Sequence, residues 1–274
     1  MQLPPAVVVP PGTSPVEDQE KVNPINSSCI VLVVGANRGI GLEFVKQCLQ
    51  RGATVIASHR LEEVPASIQN LQSEYPEDRL HPLQIDLTSE SSIENAASTY
   101  KSMELRSLTH IIHNAGMYLP GTSFDGTARG PRDAVPKVTK EVLQKTYEIN
   151  TIAPLLIAQN FVPLMGKRSD VLYPVLTMLS SKVGSVDDNG SGGAYAYRSS
   201  KSALNNIAKS LSIDLGDEVR VALLHPGYVR TDMTNGNGLI DTSESVEGML
   251  DAVEATDAST GFRFVDYKAC LIPW

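Results

Sequence analysis

Apolar residues along the chain fall into two alternating patterns. Short unbroken runs, the first being Cys29-Ile30-Val31-Leu32-Val33 and the second Thr54-Val55-Ile56-Ala57-Ser58, alternate with longer stretches in which apolar positions recur at helical spacing, as Leu42, Val45 and Leu49 do. Further strands are predicted within Leu80–Leu87, Leu108–His113, Val171–Ser181 and Val219–His225, with a last one over Gly261–Tyr267. Helices are predicted over Leu42–Arg51, Pro65–Tyr75, a segment capped by Thr88 or Ser89 and running to about Leu105, Thr139–Met165, Ala194–Leu215 and Ser243–Thr256. Strands without polar alternation, separated by helices, specify an α/β fold whose parallel sheet is covered on both faces. With right-handed crossovers the units wind into a Rossmann-type doubly wound sheet of about seven strands, order 3-2-1-4-5-6-7. No repeat or linker interrupts residues 29–274, which are expected to form a single domain.

Residues 1–28 break the pattern. Pro4, Pro5, Pro10, Pro11, Pro15 and Pro24 stand among Gly, Ser, Glu and Asp, a composition that builds neither a helix nor a core, so a disordered Pro-rich extension is expected. Its apolar run Ala6–Val9 is too short for a secretory leader, and its acidic residues without Arg do not suit an organelle transit peptide. The net charge of −8 argues against nucleic acid or an anionic membrane as a partner, and no apolar run is long enough to span a bilayer. Cys29, Cys48 and Cys270 make no metal-type pair and no disulfide framework, which suits a reducing, cytoplasmic compartment and predicts three buried thiols without a metal site.

Chemistry begins where the first run ends. Val34-Gly35-Ala36-Asn37-Arg38-Gly39-Ile40-Gly41 places three glycines between a strand and a helix. Such a turn lets backbone N–H groups approach a pyrophosphate at a helix N-terminus, whose positive end favours the charge. The other polar groups at predicted strand ends, Ser58 to Arg60, Asp86, Asn114, Ser180-Ser181 and Pro226-Gly227, can converge on the same crevice. Tyr197 and Lys201, four apart on a predicted helix, share one face. A nearby ammonium favours phenolate and brings a phenol of ordinary pKa about 10 nearer to working pH. Tyr195 has Ser199 rather than a lysine in that relation.

The glycine turn, Asn114-Ala115-Gly116, Asn150, Ser180-Ser181, Tyr197-x-x-x-Lys201 and Pro226-Gly227-x-Val229-x-Thr231 occur in the order of the short-chain dehydrogenases/reductases. The resemblance covers Ile30 to Trp274. The segment from Leu179 to Lys201 and the ending Ile272-Pro273-Trp274 resemble the C-factor/sniffer-type carbonyl reductases. It implies that Tyr197 donates a proton to a carbonyl oxygen, or accepts one in the reverse direction. Lys201 would lower the Tyr pKa and bind the nicotinamide ribose. Ser181 would hydrogen-bond the substrate oxygen, with Ser180 as the alternative, and Asn150 would help hold Lys201 through a water. Val229 and Thr231 would hold the carboxamide. The cofactor-binding set is then Gly35, Asn37, Arg38, Gly39, Ile40, Gly41, Ser58, Arg60, Asp86, Leu87, Asn114, Ala115, Gly116, Tyr197, Lys201, Pro226, Gly227, Val229 and Thr231. The chain departs from the family at Val34 (usually Thr), at His113 (usually Asn, and read as a structural substitution) and in a Ser181–Tyr197 spacing a few residues longer than usual.

The second strand ends in Ser58-His59-Arg60, with no carboxylate for a ribose 2′-OH before Glu62. Arg38, Arg60 and Ser58 suit a 2′-phosphate, so NADP(H) is the expected cofactor, with NAD(H) left open. The implied activity is reduction of an aldehyde, ketone or quinone; a non-catalytic dinucleotide sensor or signalling protein is the alternative. Met117–Pro136 and Arg230–Asp241, with Tyr118, Leu119, Phe124, Met233 and Leu239, should line a pocket for a medium-sized, partly apolar small-molecule carbonyl. Leu155, Leu156, Leu204, Ile207 and Leu211 fit either a homodimer seam or packing on the sheet; a homodimer is expected.

Overall fold

A computed structural model of the chain describes residues 21–120, 123–126, 136–167, 173–216, 218–256 and 261–274. Seven parallel strands form one sheet: β1 (Ile30–Val34), β2 (Thr54–His59), β3 (Leu80–Gln84), β4 (His110–His113), β5 (Val175–Leu179), β6 (Arg220–His225) and β7 (Arg263–Asp266). Their order is β3-β2-β1-β4-β5-β6-β7, as the alternating pattern predicts. The reversal lies beside β1, which pairs with β2 through Val31–Val55 and with β4 through Leu32–Ile111. The stretch Val171–Leu172, predicted as the start of β5, lies outside the described residues.

The central strands β1, β2, β4 and β5 bury both faces because each face has its own helices. Val31, Val33, Val55 and Ala57 pack against Phe44, Val45 and Leu49 of α1 (Gly39–Gln50), Ile68 and Leu71 of α2 (Ala66–Glu74), and Met249, Leu250 and Val253 of α7 (Thr242–Glu254). On the other face Leu32, Val34, Ile111 and Leu176 meet α3 (Glu90–Ser102), α5 (Ala153–Phe161) and α6 (Tyr195–Asp214). Of the two cap candidates for α3, Ser89 takes the role, its Oγ accepting from Ser92 N. Leu204 is buried in this layer, and Leu156 and Leu211 pack against it.

One predicted helix is built differently. The stretch Thr139–Met165 is α4 (Lys140–Tyr147), a π turn over Glu148–Ile152, α5, and a final 3₁₀ turn. Pro154 explains the break. It lacks an N–H and its ring crowds the carbonyl four residues back, that of Asn150, so the ladder widens there.

The expected extension is described only from Lys21 onward, and there the chain is packed. Ile25 is buried and its N–H donates to Glu254 Oε1 (2.9 Å), while Lys21 Nζ lies 2.7 Å from Glu254 Oε2. Cys29 and Cys48 are buried as expected; Cys270 is only partly covered. Among the described residues no helix is long and apolar enough to cross a membrane, and no cluster of His, Cys, Asp or Glu could hold a metal ion.

Candidate active site

The strand C-termini open into a cleft of about 340 Å³. A smaller cavity of about 150 Å³ lies at the opposite edge, where β6 and β7 begin, remote from these groups. Of the residues singled out in the sequence, Gly35, Asn37, Arg38, Gly39, Ile40, Ser58, Arg60, Asp86, Leu87, Asn114, Ala115, Gly116, Ser180, Tyr197, Lys201, Pro226 and Thr231 line this one cleft. Gly41, Asn150, Ser181, Gly227 and Val229 are not among the residues that line it.

The glycine turn is compressed against its neighbours. Gly35 (φ +78°) sits where a Cβ would come within 2.9 Å of Ala115 Cβ, and a Cβ on Gly41 would run into Gly35 O and Asn114 Nδ2. Asn114 Nδ2 donates to Gly35 O (2.8 Å), and Gly35 N donates to Ser58 Oγ (2.9 Å). Asn114 and Ser58 thus brace the turn from both neighbouring strands. Only glycine lets the backbone approach this closely, and the resulting cradle at the start of α1 fits a pyrophosphate. Ser58 is buried in this bracing role. Arg38 Nη1 pairs instead with Asp232 Oδ2 (2.8 Å), on the loop after β6. Asp86 is held by the Thr88 N–H (3.0 Å) and hydroxyl (2.8 Å), which with Arg60 nearby keep its carboxyl below its ordinary value.

Around Tyr197 the elements interlock. The π turn presents Asn150, whose Oδ1 accepts from Met117 N (2.8 Å) and whose Nδ2 donates to Met117 O (2.9 Å) and Ser200 Oγ (3.1 Å). Thr151 Oγ1 donates to Ser200 O (2.9 Å). The π turn therefore grips α6 at the residue before Lys201, and this contact, rather than one to Lys201 itself, is the direct hold of Asn150. Lys201 is buried, and its Nζ donates to Leu179 O (2.8 Å). Burial pushes the ammonium down to about 8.

Tyr197 behaves differently from the sequence expectation. Burial pushes its phenol up to about 12; a hydrogen bond from Ser181 opposes that rise and the Tyr118 phenol adds to it. Lys201 Nζ stands 5.9 Å from the ring centroid, turned toward Leu179. In this geometry burial is the largest influence on the phenol, and its net direction is upward. Ser180 directs its hydroxyl to Asn205 Oδ1 (2.5 Å), leaving Ser181 as the serine joined to the phenol. Tyr195 is exposed, with its ring 6.3 Å from that of Phe124. His113 is buried and its imidazole is pushed down to about 3, by burial first and the Lys201 charge second, so it stays neutral.

Of the expected pocket residues, Tyr118 packs edge-on against Tyr197 (centroids 5.3 Å) and Met233 lines the cleft, whereas Leu239 is 81% exposed outside it. Positions 121–122 and 127–135 lie outside the described residues. Met117 and Asp232 line the cleft from within the two stretches expected to do so, whereas Ile85 and Ile149, which also line it, were not singled out in the sequence and carry no signal of their own.

Comparison with known proteins places this geometry. The short chain dehydrogenase family profile matches residues 29–239. The C-signal protein of Myxococcus xanthus is 39% identical over 133 residues, covering 48% of this chain and 78% of its own. The carbonyl reductase Sniffer of D. melanogaster superposes with a TM-score of 0.77 at 27% identity, covering 90% of this chain and 99% of that one. The NADPH-bound carbonyl reductase from chicken fatty liver gives 0.75 at 30% identity, with 89% and 94% covered. A parallel sheet reversing beside β1, a glycine cradle at its switch point and a Ser–Tyr–Lys cluster across the same cleft thus make this chain a member of the short chain dehydrogenase family, of the C-factor/sniffer-like type.

Proposed function

We propose that the protein is an NADPH-dependent carbonyl reductase that converts an aldehyde, ketone or quinone to an alcohol, with Tyr197 as proton donor. The observation that carries the reading is Tyr197 and buried Lys201 lining the same cleft as the glycine cradle, with Lys201 Nζ 5.9 Å from the Tyr197 ring centroid. NADPH, when bound, supplies the hydride. Ser181 and Tyr197 hold the substrate oxygen from two sides and stabilise the charge that gathers on it. With its pKa near 12, Tyr197 keeps its proton at neutral pH and has it available to give. The Lys201 ammonium, at about 8, is mostly charged at pH 7 and stabilises the phenolate left after transfer. Asn150 acts through Ser200, holding α6 in place.

Preference for NADPH is supported by Arg38 and Arg60 at the cleft and by the absence of a carboxylate from Ser58 to Arg60. The NADPH-bound chicken reductase of the same fold is consistent with it. Arg38 would leave Asp232 to meet the 2′-phosphate. A homodimer through α5 and α6 is part of the reading, since Ile152 and Ile213 stay exposed beside them; light scattering tests it.

The deciding experiment is turnover of a carbonyl panel with NADPH and with NADH, for the natural chain and for Tyr197→Phe. The reading expects turnover with NADPH preferred, abolished by the substitution while NADPH still binds. Turnover surviving Tyr197→Phe refutes the assignment. The likeness to C-signal keeps a signalling role as the second reading, favoured if no carbonyl is reduced and a partner interaction is unaffected by Tyr197→Phe.

A further inference from the structure

The loop between Ser181 and Tyr197 is longer than the family pattern leads one to expect, and its backbone approaches α6 through a strained path. Gly192 (φ +62°), Gly193 (φ +69°) and Ala194 (φ +45°) are three left-handed residues in succession, the last of them an alanine. An L side chain is disfavoured in that region and persists there only when its surroundings dictate it. Ala194 is also the N-cap of α6, with no side-chain cap bond to steady it.

Gly192 N donates to Asn189 Oδ1 (3.0 Å) and Ser202 Oγ to Gly184 O (2.6 Å), and one further side chain makes three contacts across the loop. Arg198 follows Tyr197 directly and lies one helical turn beyond Ala194, whose carbonyl accepts from Arg198 N (2.9 Å). Its guanidinium spans the loop: Nη1 donates to Val183 O (3.0 Å), Nη2 to Ser191 Oγ (2.7 Å) and Nε to Gly192 O (3.3 Å). Val183 is two residues after Ser181, and Gly192 opens the left-handed run. A single rigid fork therefore ties the Ser181 end of the loop to the Tyr197 end. The middle of the loop rests elsewhere, with Asp187 N (2.9 Å) and Ser185 Oγ (3.2 Å) donating to Trp274 O and the indole stacked on Phe262.

We propose that Arg198 is a positioning residue for the reaction: by clamping both ends of this loop it sets the Ser181 hydroxyl against the Tyr197 phenol. The inference rests on the reductase reading, in which those two groups hold the substrate oxygen. Ser181 follows β5 and Tyr197 belongs to α6; the middle of α6 is tied to this end of β5 by Lys201 Nζ on Leu179 O, Ser180 Oγ on Asn205 Oδ1 and Ser202 Oγ on Gly184 O, and the Arg198 fork adds the tie at the first turn, next to Tyr197. Lysine cannot replace the fork, because an ammonium offers one point of charge where three separated acceptors must be met.

The test uses the full chain as Arg198→Ala, Arg198→Lys and the double variant Arg198→Ala/Ala194→Gly. With NADPH and 4-nitrobenzaldehyde, Arg198→Ala should lower kcat by roughly 10- to 100-fold, as for other small misplacements of reacting groups. KM and the NADPH Kd should move about 2-fold or less on the same argument. Arg198→Lys should fall between. The high-pH limb of the kcat profile should move upward in Arg198→Ala, because Ser181 no longer favours the phenolate. Ala194→Gly relieves the backbone strain, so the double variant should recover thermal stability and not kcat. Independently of turnover, amides 184–194 should exchange hydrogen faster in Arg198→Ala, while those of β5 and the middle of α6 do not. The proposal is overturned if kcat is unchanged, if it returns together with stability in the double variant, or if exchange across the loop is unaltered. Absence of turnover in the natural chain would count against the reductase reading instead, and the exchange comparison would still decide whether Arg198 clamps the loop.

Discussion

Arg38 Nη1 lies 2.8 Å from Asp232 Oδ2, so the turn after β1 and the loop after β6 are ion-paired across the mouth of the cleft. Thr231 lies against the same turn, its Cγ2 3.7 Å from where a Cβ on Gly39 would be. The two side chains are 70% and 77% exposed, and such a pair contributes little to folding. Its significance is that one carboxylate claims the guanidinium proposed to read a 2′-phosphate.

Replacing Asp232 by Asn should therefore tighten NADPH binding roughly 2- to 5-fold, the range expected for losing an exposed competing charge. NADH binding and thermal stability should be unaffected. Fluorescence titration with both nucleotides measures this, and an unchanged NADPH Kd would remove Arg38 from the proposed reader.

Lys201 is held at the expense of stability. Its pKa falls from the ordinary 10.5 to about 8 through burial. The unfolded chain then binds a proton between pH 8 and 10.5 that the folded chain does not. The ammonium opposes folding by about 3 kcal/mol below pH 8, and the penalty fades as pH rises toward 10.5. Lys201→Met loses the bond to Leu179 O, worth about 1 kcal/mol. It should still melt a few degrees higher at pH 7, with the advantage shrinking by pH 9.5, and should be inactive. A variant that melts lower at pH 7 would contradict this.

His113 makes the opposite pH window sensitive. Its folded pKa, about 3, lies below the ordinary 6.5, so the unfolded chain takes up a proton first as pH falls. Stability present above pH 6.5 is lost progressively below it, and His110 and His225, each lowered to about 4, act in the same sense. His113→Asn should make this acid loss shallower by up to about one proton, measured as the change in urea stability between pH 7 and pH 4.5. An unchanged slope would mean that His113 becomes protonated without unfolding.

Gly41→Ala should be far more damaging than an alanine within a helix usually is. The new methyl would meet Gly35 O and Asn114 Nδ2, the contact that closes the cradle. NADPH binding should fall at least about 100-fold, beyond any propensity effect, since alanine is the better helix former. Near-normal affinity by titration would show that the turn has room to shift.

The strand cores and their order could be read from the chain because parallel strands covered on both faces leave long apolar runs, and the first glycine turn could be read because few residues tolerate such crowding. The site was legible as a set of residue types, less so as a set of contacts. Tyr197 was preferred to Tyr195 on spacing alone, and burial agrees. The direction of the Tyr197 shift was not legible, because it depends on how much water the fold removes and on Lys201 turning toward Leu179 O. Asp232 and Arg198 act across long sequence separations or through loop geometry, which no local pattern encodes. The π turn went unread although a signal for it was present, since Pro154 lies inside the helix predicted over Thr139–Met165 and a regular ladder cannot run through it.

That turn carries a consequence for how the chain can change. It holds one more residue than an α turn, which puts α4 and α5 out of helical phase by about 100°. Deleting Glu148, Ile149, Thr151 or Ile152 would remove that offset while Pro154 still bars a regular ladder, and would swing Asn150 away from its partners Met117 and Ser200. Substitutions along this helix can be tested one at a time, whereas a single-residue deletion would uncouple α6 from the wall of the cleft in one step.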